Sequence, residues 1–214
     1  MIFHGTMVNP FFVHGHLEVI CGPMFSGKTE ELIRRIRRSQ IARQKVQIFK
    51  PAFDTRYAEN HVVSHSSQSI ESTPVAKSVD ILSLVKDTTR VVAIDEVQFF
   101  DAEIIPVVEK LTARGLRVIT AGLDLDYRAK PFGPMAELLA IADDVAKIQA
   151  ICTICGAPAT RTQRLIDNDE QFLLGEKKTY EARCRAHYDF DEKPLANFAQ
   201  QQLSHEIEKN SSTH

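Results

Sequence analysis

The chain contains 214 residues with a mass of 24.1 kDa, and hydrophobic residues make up 43% of it and charged residues 25%. This length and composition suit one globular domain with a small second unit, and they exclude disorder throughout the chain. The net charge of −2 argues against a generally basic nucleic-acid-binding protein. No apolar run reaches the about 18 residues that a membrane span needs, and the N-terminus does not resemble a secretory signal. We therefore expect a cytoplasmic protein that binds neither nucleic acid nor a membrane.

Short apolar segments alternate with amphipathic segments over roughly the first 150 residues. Five strands are predicted, and they cover residues 16–21, 45–50, 90–95, 116–121 and 145–151. The last of them is expected to lie in the core. Helices are predicted for residues 28–44, 79–85, 101–114 and 135–141. Residues 52–74 lack periodicity and are predicted to form a long loop. This alternation predicts an α/β domain with a mostly parallel sheet.

The first predicted helix combines an apolar face with a basic cluster. The residues expected roughly on the buried face are Leu32, Ile33, Ile36 and Ile41. The basic cluster consists of Arg34, Arg35, Arg37 and Arg38. A solvated helix face is the favoured interpretation of this cluster, and a surface for phosphates or for a partner subunit is the alternative.

The composition changes after residue 150, where Cys, Thr, Arg, Asp and Lys become frequent. We expect three regions, namely the α/β domain in residues 1–150, a small unit in residues 151–190, and a helix followed by a frayed tail in residues 191–214.

Residues 22–29 read Gly-Pro-Met-Phe-Ser-Gly-Lys-Thr and match the phosphate-loop pattern G-x-x-x-x-G-K-[ST]. The pattern follows a predicted strand and opens a predicted helix, which is the context that this loop requires. Glycine lets the backbone amides approach phosphate oxygens, and the helix N-terminus adds the positive end of its dipole. Lys28 is expected to contact the β- and γ-phosphates, and Thr29 is expected to supply a hydroxyl to Mg²⁺.

Two carboxylates, Asp95 and Glu96, lie at the end of the strand predicted over residues 90–95. Asp95 is expected to hold Mg²⁺, directly or through water. Glu96 follows where the chain leaves the sheet, so it can point at a different atom. It could activate water, as in an ATPase, or take the proton of a substrate hydroxyl, as in a kinase. The residues alone leave both chemistries open, and a solvated turn residue is the third interpretation of Glu96.

Two pairs with the same short spacing flank most of the small unit. Cys152 and Cys155 form the first pair, and Cys184 and His187 form the second. Together they supply the four ligands of a tetrahedral zinc site. Because protein fills all four positions, the predicted zinc is structural and holds the intervening loop at both ends. Cys21 is expected to be a small core residue, and four cysteines are too few for a disulfide scaffold, which favours a reducing compartment.

These motifs and several further segments together resemble the type II thymidine kinases, a family with bacterial and animal cytosolic members. The shared segments appear in family order over residues 16–190. They are the phosphate loop, the two metal pairs, Asp54–Tyr57, Ile94–Phe100, Ala121–Tyr127, Lys130–Gly133 and Tyr180–Arg185. The resemblance implies a RecA-like P-loop NTPase fold. It also implies phosphoryl transfer from ATP·Mg²⁺ to the 5′-hydroxyl of thymidine, and of deoxyuridine as well, which yields dTMP for DNA synthesis.

The resemblance also assigns roles to individual residues. Glu96 matches the catalytic base, Asp95 the magnesium-side carboxylate, and Arg56 an arginine near the transferring phosphates. The residues that match the ATP and phosphate site are Gly22, Pro23, Met24, Phe25, Ser26, Gly27, Lys28, Thr29, Arg56, Asp95, Glu96, Val97 and Gln98. The residues that match the nucleoside site are Met24, Leu123, Tyr127, Phe132 and Tyr180. Phe99 and Phe100 are expected to lie in the core.

The segment between the two metal pairs corresponds to a lasso whose backbone groups bind the thymine base in the family. Gly175 is present here, but residues 176–179 differ from many relatives. Main-chain recognition tolerates such a change, so thymidine remains the expected substrate. The family further implies a homotetramer and inhibition by the end product dTTP.

Two other functions share parts of this pattern. An ATPase or DNA-repair motor contains the same two phosphate elements and would hydrolyse ATP on DNA without a nucleoside. A zinc-ribbon module could grip nucleic acid with Arg161, Arg164, Arg183 and Arg185. The acidic residues that interrupt such a basic stripe are Asp167, Asp169, Glu170, Glu176 and Glu181.

Overall fold

The computed structural model describes residues 15–52, 61–63, 69–165 and 179–190. The strands in chain order are β1 His16–Cys21, β2 Val46–Pro51, β3 His61–Val63, β4 Ser69–Glu71, β5 Thr73–Val75, β6 Val91–Ile94, β7 Arg117–Gly122, β8 Asp144–Lys147, β9 Ala150–Ile151, β10 Pro158–Ala159, β11 Arg161–Arg164 and β12 Tyr180–Arg183. The α-helices are α1 Lys28–Ile41, α2 Ile81–Leu84, α3 Ile104–Ala113 and α4 Met135–Ile141. Two 3₁₀ turns cover Ser78–Asp80 and Val97–Phe99.

Six strands form one parallel sheet in the order β5-β2-β6-β7-β1-β8. This confirms the predicted α/β class with a parallel sheet. Strand β7 lies between β1 and β6, so the carboxyl ends of β1 and β6 are about 10 Å apart. Because the strands are parallel, the segments that follow β1, β6 and β7 all leave the sheet at the same edge, where ligands bind in open α/β folds.

Helices cover both faces of the sheet, which explains why β6 is buried along its whole length. On one face α1 contributes Leu32, Ile33 and Ile36, and all three are fully buried. On the other face α3 and α4 contribute Leu111 and Leu138 to a second apolar cluster. The sheet is therefore a rigid platform for the loops at its carboxyl edge.

The basic cluster on α1 is partly an ion-pair network. Arg35 donates to Glu31 at 2.8 Å and to the buried carboxylate of Glu18 at 2.5 Å, and Arg117 also binds Glu18. Arg34 pairs with Glu31 on the exposed side of the helix. The solvated-face interpretation therefore describes Arg34, whereas Arg35 ties α1 to the sheet.

Two predicted core positions are wrong. Ile41 is 82% exposed, because nine residues after Leu32 an α-helix has made about two and a half turns and points the opposite way. The strand predicted over residues 145–151 ends at Lys147, and Ile151 is 67% exposed. Strand β8 pairs with β1 alone among the described strands, so it is an edge strand, and none of its residues is buried.

Residues 52–74 are not simply the long loop that the sequence predicts. Within them, β3 pairs with β4 in antiparallel fashion, and β5 begins at Thr73 and extends the main sheet. Pro74 in β5 is tolerated because an edge strand needs no second partner for its backbone. The helix predicted over residues 79–85 is a 3₁₀ turn followed by the single turn of α2.

The small unit begins after the main sheet. It contains two antiparallel pairs, β9 with β10 and β11 with β12. Buried Ala150, Cys152, Ala159 and Ala182 form its own small apolar cluster. Among the helices of the described residues, none is long and apolar enough to cross a membrane.

Candidate active site

The phosphate loop joins the carboxyl end of β1 to the N-terminus of α1. Gly22 and Gly27 have φ angles of 150° and 86°. A Cβ atom on Gly22 would lie 2.1 Å from the carbonyl oxygen of Ile148, so a side chain does not fit there. The loop therefore places its backbone amides at the start of a helix, the arrangement that binds phosphate.

Lys28 is surrounded by carbonyl and carboxylate oxygens. Its Nζ donates a hydrogen bond of 2.8 Å to the carbonyl oxygen of Pro23. Burial lowers the pKa of this amine, while the negative charges of Glu96, Asp95 and Asp124 oppose the shift. These three carboxylates come from the ends of β6 and β7, so the topology gathers the charged groups around one cation.

Asp95 and Thr29 meet at the position where the sequence predicts Mg²⁺. Burial and the neighbouring charge of Glu96 raise the pKa of Asp95 to about 7, against hydrogen bonds from the Glu96 N–H and the Thr29 side chain and the charge of Lys28. A carboxylate and a hydroxyl side by side are oxygen donors of the kind that Mg²⁺ takes in phosphate sites. The residues present therefore fit the metal.

Glu96 adopts a backbone conformation that is uncommon for a residue with a side chain. Its φ and ψ angles are 51° and 37°, in the left-handed region. Its carboxylate accepts a hydrogen bond of 2.6 Å from Nε2 of Gln98. Such strain costs on the order of 1–3 kcal/mol and concentrates at functional positions. In this conformation the charge of Glu96 acts on both Lys28 and Asp95.

Asp124 is a buried carboxylate that sequence reasoning did not single out. It is 4% exposed, and Nζ of Lys147 lies 2.8 Å from its Oδ2. Burial, followed by the charge of Asp124, raises the pKa of the Cys21 thiol to about 11. Cys21 is buried, as the sequence predicts.

Apart from Met24 in the phosphate loop, the residues predicted to pack on the nucleoside lie on the segment after β7 and on the small unit. Leu123 and Phe132 are buried, and the N–H of Phe132 donates 3.1 Å to the carbonyl oxygen of Asp124, which folds the segment back on itself. The ring of Phe99 meets that of Phe132 edge to face at 5.3 Å. Phe100 lies in the core as predicted, whereas Phe99 is only half buried.

Arg164 joins two of the predicted nucleoside residues and was missed as a site residue. Its guanidinium lies 3.5 Å from the centre of the Tyr127 ring and donates 2.8 Å to the hydroxyl of Tyr180. Arg164 and Arg161 are each 8% exposed. They therefore do not form the exposed basic stripe that a nucleic-acid-binding ribbon would need.

The four predicted zinc ligands come together. Their donor atoms all lie within 4.8 Å of one another. The Cys155 and Cys184 sulfurs are 3.8 Å apart, and Nδ1 of His187 lies 3.3 Å from the Cys184 sulfur. A tetrahedral zinc with bonds of about 2.0–2.3 Å places its ligand atoms at about these separations.

The charge state of Cys152 also suits a metal. Burial tends to raise the pKa of its thiol, but backbone N–H groups of Cys184, Cys155 and Ile154 lower it more, to about 6. Thiolate is the form that binds zinc. The donor set and its spacing fit a structural zinc site, as the sequence predicts.

Several other predicted site residues are buried or fall outside the described residues. Arg56 and residues 166–178 of the lasso lie outside the described residues. The Val97 side chain is fully buried in the core, which leaves only its main chain for a nucleotide. Gln98 is 2% exposed and contacts Glu96. The polar groups of the described site are therefore Lys28, Thr29, Asp95, Glu96, Gln98 and Asp124.

A comparison with protein families fits this geometry. The thymidine kinase family model matches residues 15–188. The chain belongs to the thymidine kinase family. The match spans both the parallel sheet with its phosphate loop and the Cys–His cluster of the small unit. Thymidine kinases phosphorylate thymidine with ATP, and membership therefore makes this chain a kinase with those two substrates.

Proposed function

We propose that the chain transfers the γ-phosphoryl group of ATP to the 5′-hydroxyl of thymidine, giving dTMP and ADP, and that it accepts deoxyuridine as well. The observation that carries this proposal is the position of Glu96. Its carboxylate follows the end of β6, interacts with the charges of Lys28 and Asp95, and is bound by Gln98. A carboxylate so held beside a phosphate loop suits a base that takes the proton of a hydroxyl.

In the proposed reaction, the loop of residues 22–29 binds the triphosphate. Lys28 exchanges its bond with Pro23 for phosphate oxygens and neutralises charge on them. Thr29 and Asp95 hold Mg²⁺, which supplies further positive charge to the phosphates when bound. Glu96 accepts the proton of the 5′-hydroxyl while that oxygen attacks the γ-phosphorus. The bond between the γ-phosphorus and the oxygen that stays with ADP breaks.

The nucleoside is proposed to lie between the segment after β7 and the small unit. Leu123 and Phe132 offer an apolar wall, and the Tyr127–Arg164–Tyr180 group closes the side formed by the small unit. Met24 links both sides, because its N–H donates 3.0 Å to the hydroxyl of Thr162. Structural zinc is proposed to hold this unit, and the lasso with it, over the base.

The family resemblance supports the remaining parts of the proposal. They are an ATP-binding domain in residues 1–150, a zinc-held lasso in residues 151–190 and a tail in residues 191–214. Arg56 is proposed to bind the transferring phosphates. A homotetramer, inhibition by dTTP and a cytoplasmic location complete the proposal.

The test is phosphate transfer from labelled ATP to thymidine, deoxyuridine and deoxycytidine by the wild type and by Glu96→Gln. Removing a general base costs roughly 10²–10⁴-fold in turnover. We expect Glu96→Gln to keep its affinity for ATP and to lose turnover by that factor. Glu137→Gln makes the same chemical change on an exposed position of α4 and serves as the matched control.

Two results would contradict the proposal. Unaltered turnover in Glu96→Gln would remove Glu96 from the mechanism. ATP hydrolysis that rises with DNA and needs no nucleoside would favour the ATPase alternative.

A further inference from the structure

Gln98 bridges the ends of two neighbouring strands. It lies in the 3₁₀ turn Val97–Phe99 after β6, and its side chain is almost fully buried. Its Nε2 donates 2.6 Å to Oε2 of Glu96, and its Oε1 accepts 3.0 Å from the N–H of Leu123 at the end of β7. A backbone N–H only donates, so Leu123 fixes which end of the amide is oxygen and leaves the NH₂ group for the carboxylate.

Two glycines make room for Gln98 at both its ends. A Cβ atom on Gly122 would lie 2.6 Å from Oε1 of Gln98. A Cβ atom on Gly133 would lie 2.1 Å from the Gln98 carbonyl oxygen, and Gly133 has a φ angle of 50°. The surrounding chain therefore leaves room for Gln98 in this place, and a backbone group, the Leu123 N–H, fixes the oxygen end of its amide.

The hydrogen bond from Gln98 restrains Glu96, the proposed base. Glu96 is half buried and has left-handed backbone angles, so its carboxylate extends from a turn instead of from a strand. The bond from Gln98 occupies Oε2 and restrains the carboxylate. Within the part of the chain that the structure describes, no hydrogen bond engages the other oxygen, Oε1, which leaves it to accept a proton. The same amide holds Leu123, a residue proposed to pack on the nucleoside.

We propose that Gln98 is a positioning residue, which holds the Glu96 carboxylate in register with the nucleoside wall at Leu123. This inference rests on the proposed function, because it takes Glu96 as the base. It adds to the phosphate-side role that the family resemblance implies for Gln98. Its burial and its two bonds point toward Glu96 and Leu123.

The test compares three variants. Gln98→Leu removes both hydrogen bonds, and Gln98→Glu keeps the size and the acceptor but has no amide donor. Gly122→Ala leaves Gln98 intact and displaces its amide. Gln47→Leu is the matched control, because Gln47 on β2 also bonds backbone groups, at Leu84 and Lys86, away from the phosphate loop. Each variant is made in the wild type and in Glu96→Gln, and thermal unfolding and ATP binding verify that it folds.

We expect each of the three variants to lower kcat about 10- to 100-fold, the loss typical for one hydrogen bond to a charged group, with the KM for ATP within about twofold. In the Glu96→Gln background the same changes should lower the residual turnover by less than about twofold, because the group that they position is already gone. Gln47→Leu should leave kcat and the coupling to Glu96 unchanged.

Several outcomes would overturn the inference. They are a kcat within twofold of wild type in both Gln98 variants, a rise in the KM for ATP with kcat kept, and a full additional loss in the Glu96→Gln background. If Gln98→Leu does not fold, Gln98→Glu and Gly122→Ala decide the question. Full turnover in Glu96→Gln alone would instead show that the proposed base is wrong, so the two failures are distinguishable.

Discussion

The backbone N–H of Met24 donates a hydrogen bond of 3.0 Å to the hydroxyl of Thr162. Met24 belongs to the phosphate loop, and Thr162 lies on β11 of the small unit, so the bond joins the phosphate loop to the unit that carries the Cys–His cluster. Both groups are partly buried, and a backbone donor that loses such a partner is costly. This contact therefore helps to hold the small unit against the phosphate loop.

Replacing Thr162 with valine tests that dependence. Valine keeps the branched shape but removes the acceptor, so the Met24 N–H loses its partner. We expect the free energy of unfolding to fall by about 1–2 kcal/mol and the KM for thymidine to rise. Thr162→Ser keeps the hydroxyl and is the control. Urea unfolding and steady-state kinetics provide the measurement. Equal effects of Thr162→Val and Thr162→Ser would show that the packing of this side chain, and not its hydroxyl, is what matters.

Zinc removal should affect the nucleoside more than the nucleotide. Tyr180 is the first residue of β12 and Cys184 directly follows its last residue, so a metal bound by Cys184 would anchor the strand that carries a proposed nucleoside residue. The phosphate loop is held by β1 and α1 of the main α/β domain. We expect Cys155→Ala, or chelation, to abolish zinc binding and to weaken thymidine binding about 10–100-fold, with a smaller change for ATP. Metal analysis and binding of each substrate provide the measurement. An equal loss of both affinities would mean that the metal holds the whole fold.

The parts of the site that the sequence predicted are those fixed by local spacing. The phosphate loop needs a set pattern within eight residues, and the two metal pairs need one spacing each. Asp95 could be placed because an apolar strand ended in acid and parallel strands end at one edge. These signals lie within single elements, so they are visible before the fold is known.

The parts that escaped prediction depend on contacts between distant elements. Thr162 meets Met24 across 138 positions, and Arg164 meets Tyr127 through a ring contact that no spacing encodes. The errors at Ile41 and Ile151 have the same origin, because whether an apolar residue is covered depends on what lies opposite it. The sequence shows which side chains are apolar, but it does not show which of them another element of the fold covers.

The ion pairs of α1 should weaken in acid. Hydrogen bonds from Arg34 and Arg35 lower the pKa of Glu31 to about 2, against the effect of burial. Because this pKa lies below that of the unfolded chain, the stabilisation is complete above about pH 4.5 and is lost as the pH falls toward 2. Glu31→Gln should therefore reduce the free energy of unfolding by about 0.5 kcal/mol at pH 7, and the difference from wild type should shrink below pH 4.5.

Urea unfolding of wild type and Glu31→Gln between about pH 3 and 7 measures this difference. Glu30→Gln, in the same turn of α1, tests whether the effect is specific to Glu31. A difference that grows as the pH falls would have the wrong sign and would rule out the ion pairs as its source.

Gly22 should be irreplaceable for a reason that Gly115 does not share. A Cβ atom on Gly22 would lie 2.1 Å from the carbonyl oxygen of Ile148, whereas one on Gly115 would meet nothing within 4 Å. Both residues have positive φ angles, so alanine strains the backbone at either position by about 1 kcal/mol. We expect Gly22→Ala to reduce ATP affinity at least about tenfold, because the loop must move to relieve the clash, and Gly115→Ala to leave it unchanged. Titration of ATP into both variants measures this, and similar affinities would show that backbone strain, rather than the contact with Ile148, sets the requirement for glycine.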